Sequence, residues 1–135
     1  MKYFEIFIDG ASRGNPGPSA AAFIIRDENK KLINQRSYFI GENTNNVAEY
    51  FALVMALEEA KRLGASEIAL KSDSELVVKQ MLGEYRIKDR NLKLFFKKAK
   101  NLAARFARVD FIHIPRSENK EADKLTNIEL DEFGE

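Results

Sequence analysis

The sequence has no cysteine, no tryptophan, three prolines and one histidine in 135 residues. The absence of cysteine excludes a disulfide scaffold and thiolate metal sites, and it suits a reducing cytosol. With a single histidine as well, any metal site must be built from oxygen, which favours Mg²⁺ or Mn²⁺ over zinc. No apolar run is long enough to span a bilayer, and no charged segment followed by an apolar one opens the chain. Neither a membrane span nor a signal peptide is predicted, and a cytoplasmic location is expected.

Large net charge is missing too, at +1, so bulk electrostatics do not announce a nucleic-acid partner. The distribution of charge says more. From Arg86 to Arg108 there are nine basic residues, with Lys93, Lys97 and Lys100 on one helical face, against the single acid Asp89. Such a band is either a phosphate footprint or a solvated helix face. Hydrophobic residues at 44% and charged residues at 32% describe an ordinary globular chain. Its length fits one domain, residues 1–135, able to bury a real core.

Residues 2–9, KYFEIFID, are aromatic and β-branched up to Gly10 and predict a buried strand closed by Asp9. The Gly/Pro/Asn-rich SRGNPGPS predicts a loop, with strands near 20–27 and 31–40 to follow. From Thr44 to Leu63 the period becomes helical, with Gly64 as a C-cap. A short strand at 67–71, a short helix at 74–82, a longer helix at 91–106 and a fifth strand at 108–114 come next. A last helix starts after Ser117. The predicted order is βββαβααβα, an α/β domain with a mixed sheet.

Four acids stand where a soluble scaffold has little use for them. Asp9 and Asp73 close strands, where open α/β sheets line their ligand crevice. Glu49 heads the stripe Leu53, Ala56, Ala60 and Leu63, so it points inward, and Asp123 shares a face with Asn119, Asn127 and Leu130. Taken singly, Asp9-Gly10 also suits a turn, Asp73 an N-cap, Glu49 a first-turn acid and Asp123 a solvent-facing residue. Four converging carboxylates would repel and be costly to desolvate unless a cation shared the site. Paired hard cations held by carboxylates suit phosphoryl transfer.

The segments DGASRGNPGPSA (Asp9–Ala20), TNNVAEYFAL (Thr44–Leu53), KSDSELVVKQM (Lys71–Met81) and IPRSENKEADKLTN (Ile114–Asn127) together resemble the type I ribonuclease H family across essentially the whole chain. The resemblance implies a five-stranded mixed sheet, three antiparallel strands and then parallel ones, flanked by helices. It also implies endonucleolytic cleavage of the RNA strand of RNA–DNA hybrids by a monomer, leaving 5′-phosphate and 3′-hydroxyl ends. Asp9, Glu49, Asp73 and Asp123 match the family's metal-binding carboxylates, which hold two Mg²⁺ ions. Ser12, Arg13, Gly14 and Asn15 resemble the segment that approaches the hybrid's minor groove, where the 2′-hydroxyl marks RNA. Thr44, Asn45 and Asn46 are similar to hybrid-contacting residues at the helix start. They also suit plain capping, and a capped helix N-terminus is itself an anion site.

The chain departs from the family pattern at three places. A family histidine precedes the last helix; an ungapped count puts His113 there, but FIHIP reads as strand, and Arg116 in the loop is the alternative for phosphate handling. Between Gly83 and Phe106 there is room for little beyond one helix, so the chain resembles the short form without a basic protrusion. Glu75 stands where glutamine is common. A non-catalytic hybrid- or RNA-binding module, another nuclease on the same architecture and a piece of a reverse transcriptase are the competing readings.

Overall fold

The computed structural model describes residues 2–134. Five strands form one sheet in the order β3-β2-β1-β4-β5. They are β1 (Tyr3–Ser12), β2 (Gly17–Arg26), β3 (Leu32–Asn43), β4 (Glu67–Ser72) and β5 (Arg108–His113). The first three are antiparallel neighbours, while β1–β4 and β4–β5 are parallel. The helices are α1 (Asn45–Arg62), α2 (Glu75–Met81), α3 (Arg90–Ala103) and α4 (Lys120–Phe133), with one 3-10 turn at Arg116–Glu118. The predicted order and mixed sheet are therefore those found.

Side-chain alternation divides the sheet into two faces. Phe4, Ile6 and Ile8 of β1 and Ala21, Phe23 and Ile25 of β2 pack with Tyr50, Leu53 and Leu57 of α1 and with Leu92 and Ala99 of α3. On the other face, β2 offers Ala20, Ala22 and Ile24, all buried, where α4 crosses with Ala122, Thr126 and Leu130. Small side chains on both surfaces let α4 close on the sheet, and this sets the distance of Asp123 from β1.

The helix ends follow local chemistry. Thr44, Ser74 and Asp89 cap α1, α2 and α3, each side chain accepting from the backbone N–H three residues on. Gly64 and Gly83, with φ of +80° each, end the turns after α1 and α2.

The structure corrects one boundary near the site. Asp9 does not close β1, which runs on to Ser12 because β2 starts at Gly17 and the antiparallel ladder continues to the pair Ser12–Ser19. The loop shrinks to residues 13–16, where Gly14 at φ +133° makes the turn. Gly17 also has no room for a side chain, since a Cβ there would meet the Arg13 carbonyl oxygen at 2.3 Å.

Candidate active site

Asp9 sits inside β1 opposite Ala22, and Glu49 sits in the second turn of α1. Gly10 brings them together. A Cβ on Gly10 would lie 2.3 Å from the Ala48 carbonyl carbon and 2.4 Å from the Glu49 nitrogen, so only glycine allows α1 to rest on β1 there. Asp73 follows the last residue of β4, just before the cap of α2. Oxygen atoms of Asp9, Glu49 and Asp73 all lie within 4.8 Å of one another. Asp123, one turn into α4, lines the same cavity with Asn45, Asn46, Ser74 and Arg116, and the cavity measures about 380 Å³.

The electrostatics are those of crowded acids. Burial, and then the nearby charges of Asp73 and Asp123, push the Asp9 carboxyl up to about 6 against an opposing hydrogen bond from Thr126. Glu49, likewise buried, is pushed well above the usual range by burial and by Asp9 and Asp73. Asp9 Oδ2 and Glu49 Oε1 are buried with no hydrogen-bond partner among the described residues. Orphaned anionic oxygens of this kind are rare in folded proteins, and they fit a hard cation.

Around the acids, the β1–β2 loop and the start of α1 are interlocked. Ser12 N donates to Asn45 Oδ1 at 2.7 Å, and Asn45 N donates to Asn15 Oδ1 at 2.8 Å. Ser12 Oγ donates to the Asn43 carbonyl at 2.8 Å. Both amide oxygens are thus occupied internally, and among the described residues no hydrogen bond engages the amide nitrogens of Asn15 and Asn45. Thr44 Oγ1 accepts from Val47 N at 3.2 Å, which leaves its O–H to donate outward. Asn46 borders the cavity, partly buried.

Arg13 is drawn elsewhere, to Asp131 at 2.7 Å and Asn127 at 3.3 Å, strapping the loop to α4. Arg116 lines the cavity with its guanidinium 3.8 Å from Asp123. His113 ends β5 as an exposed strand residue opposite Ser72 and does not line the cavity. Glu75 is exposed and faces Lys79 at 3.8 Å along α2.

At the site the sequence reading put Asn119 on the face of Asp123 without assigning it a role, and it missed Thr126. Asn119, 1% exposed, donates to the Ile8 carbonyl at 2.8 Å and pins the start of α4 to β1. Thr126, fully buried, touches Asp9. Both recur at helical spacing around Asp123, and that was the available signal.

The fold and the carboxylate cluster define a class of metal-dependent nuclease, and comparison with known proteins places the chain within it. Residues 7–128 match the family described as reverse transcriptase-like. The ribonuclease HI of Halobacterium salinarum is 40% identical over 126 residues, which cover 93% of this chain and 63% of that one. A bifunctional Mycobacterium tuberculosis protein is 40% identical over 124 residues, but the chain spans only 34% of its length. The solved N-terminal RNase H domain of that protein superposes with a TM-score of 0.94 at 38% identity, covering 97% and 95% of the two chains. The compost-derived LC11 RNase H1, solved in complex with an RNA/DNA hybrid, gives a TM-score of 0.91 at 40% identity and covers 96% and 97%. The chain belongs to the reverse transcriptase-like family, and within it to the type I ribonucleases H.

Proposed function

We propose that this chain hydrolyses the RNA strand of RNA–DNA hybrids, acting as one domain and as a monomer in the cytoplasm. The observation that carries the reading is the buried trio Asp9, Glu49 and Asp73, whose oxygens gather within 4.8 Å with two of them unpartnered. A binding module gains nothing from negative charge packed against a phosphate backbone. A hydrolase does, because two divalent cations in such a site supply positive charge for the attacking water and the departing oxygen of a phosphodiester. Asp9, Glu49, Asp73 and Asp123 would hold them. Mg²⁺ is the expected ion, and Mn²⁺ also suits an all-oxygen site.

The chain's other residues orient the hybrid. The start of α1 presents the Asn46 backbone N–H and the Thr44 hydroxyl, and Asn15 adds its amide nitrogen, a set suited to one DNA-strand phosphate. Asn45 and Asn46 point to bases and sugars, and the narrow loop Ser12–Asn15 lets backbone come close to a 2′-hydroxyl. Arg116, exposed at the rim beside Asp123, is the stronger candidate over His113 for handling the cleaved phosphate. The products are a 5′-phosphate and a 3′-hydroxyl.

The test is a gel assay on a hybrid labelled in its RNA strand, with the same RNA as single strand and as duplex, in Mg²⁺ and in EDTA. Cleavage of the hybrid alone, lost in EDTA, is the expected result. Binding without cleavage in either metal would identify a non-catalytic module, and cleavage of every substrate would refute the 2′-hydroxyl discrimination.

A further inference from the structure

We propose that Gln80 is a positioning residue for the hybrid, holding the basic segment after α2 in register with the carboxylates through the Arg86 carbonyl; this rests on the activity proposed above. Gln80 is 4% exposed at the end of α2, and both ends of its amide are engaged. Tyr50 donates its hydroxyl to Gln80 Oε1 at 2.8 Å, and Gln80 Nε2 donates to the Arg86 carbonyl at 3.3 Å. A carbonyl only accepts, so the amide can sit only one way round. Tyr50 directly follows Glu49 in α1. One side chain therefore links the helix that carries a carboxylate of the site to the start of the basic band.

The segment it holds has little else to fix it. Glu84 N and Tyr85 N both return to the Lys79 carbonyl, at 2.8 and 3.3 Å, and close the end of α2. Beyond Tyr85 and before the Asp89 cap, the Gln80–Arg86 bond is the single hydrogen bond among the described residues that ties Arg86, Ile87 or Lys88 to the body. Ile87 adds a partly buried contact with the core. This segment and the first turns of α3 wall a groove of about 490 Å³, lined by Gln80, Tyr85, Arg86, Lys93, Leu94 and Lys97.

The groove opens at the far end of α2 from Asp73. At 1.5 Å per residue this short helix places the two ends about 10 Å apart, the span of a few base pairs. A duplex seated on the carboxylates would reach the cations of this groove. Cations held in place there would add to the binding of a duplex already seated on the acids, a contribution read in KM. A methionine would fill the space of Gln80 without a buried amide to satisfy, so what glutamine adds at this position is direction.

The experiment is steady-state cleavage of an RNA-labelled hybrid, with amide hydrogen exchange of the free protein alongside, for wild type, Gln80→Glu, Gln80→Met and Tyr50→Phe. Gln80→Glu keeps the acceptor for Tyr50 and removes the donor to Arg86. Gln80→Met keeps the volume, removes both, and covers the case in which a buried carboxylate prevents folding. Tyr50→Phe loosens the same junction and leaves the Arg86 bond. The expected result is KM raised about fivefold in both Gln80 variants, the equivalent of about 1 kcal/mol for one hydrogen bond, with kcat unchanged. The hydrogen-bonded amides that flank the segment, Glu84, Tyr85 and Leu92, exchange faster in those variants, and Tyr50→Phe, which frees only the α1 end of the link, raises KM by less. Unchanged KM and exchange in Gln80→Met would overturn the proposal, and so would an equal KM rise in Tyr50→Phe, the mark of general loosening. A wild type that leaves the hybrid intact would instead sink the activity, while the exchange data would still decide whether Gln80 holds the segment.

Discussion

Glu5 and Asp9 lie on the same face of the same strand, at 5% and 6% exposure, yet their carboxyls are driven in opposite directions. Burial pushes Glu5 up, but Lys71 at 2.6 Å and Lys30 at 3.1 Å outweigh it and hold the group below its ordinary value. Burial pushes Asp9 up as well, and there the neighbours are Asp73 and Asp123, so the shift grows. Strand, face and burial are matched, and the charge of the partners decides. At Glu5 the chain carries its own counter-cations. At Asp9 it carries none, so one end of β1 is neutralised from within and the other is left with uncompensated acid, the end proposed above to be reactive.

Exchanging the two situations by mutation tests the contrast. The largest effect falls on Asp9→Asn, for which hybrid cleavage should drop by at least about 10²–10³-fold, the scale of a lost preorganised electrostatic group. In EDTA the same variant should melt higher than wild type, by on the order of 1–3 kcal/mol, since a shift of about two units is relieved. A variant that loses activity and melts lower would show that Asp9 is a structural acid. Next, Glu5→Gln should cost about 1–3 kcal/mol by thermal melting, discounted because Lys30 lies largely in water, and should leave kcat untouched.

The pH dependence separates the two acids by sign. With its folded-state value near 6 against an ordinary 3.8, Asp9 makes the metal-free folded protein bind more protons than the unfolded chain across roughly pH 4 to 6. Its contribution therefore falls as pH rises through that window. Glu5 works the other way: its stabilisation is full above the ordinary carboxylate value and is lost as pH falls through its lowered folded value. Melting curves in EDTA for wild type and both variants, extended below the ordinary glutamate value of 4.5, should show Asp9→Asn reducing the first slope, to which Glu49 also contributes, and Glu5→Gln removing the second. The smallest effect belongs to Lys93, Lys97 and Lys100. Neutralising all three should weaken hybrid binding and flatten its log–log salt slope by about 0.9 for each phosphate that no longer meets a cation, with little change in the cleavage step. An unchanged slope would make that face merely solvated.

Much of the reactive end was legible in the sequence, and the structural end was not. Four acids beside strand ends, glycines and a capped helix start are local patterns, and so is the apolar stripe below Glu49. The Glu5–Lys71 pair is 66 residues apart, and nothing in KYFEIFID marks its one acid as buried. The extension of β1 past Asp9 depends on where β2 starts, which is a matter of register. The Arg13–Asp131 strap and the Tyr50–Gln80–Arg86 chain join side chains across the fold, and composition carries no trace of them. His113, by contrast, was legible: the FIHIP pattern read as strand against the ungapped count, and pairing with β4 holds it in the sheet.

The contact at Gly10 has a consequence for how such a domain can change over time. Asp9 and Glu49 owe their closeness to main chain resting on main chain, with no side chain interposed. Their spacing is inherited from peptide geometry, which every sequence shares, and is insulated from the identity of core residues such as Leu53 or Phe23. The interior can therefore drift, stiffen or be redesigned for heat without retuning the carboxylates. A single methyl group at residue 10 would undo that independence at once.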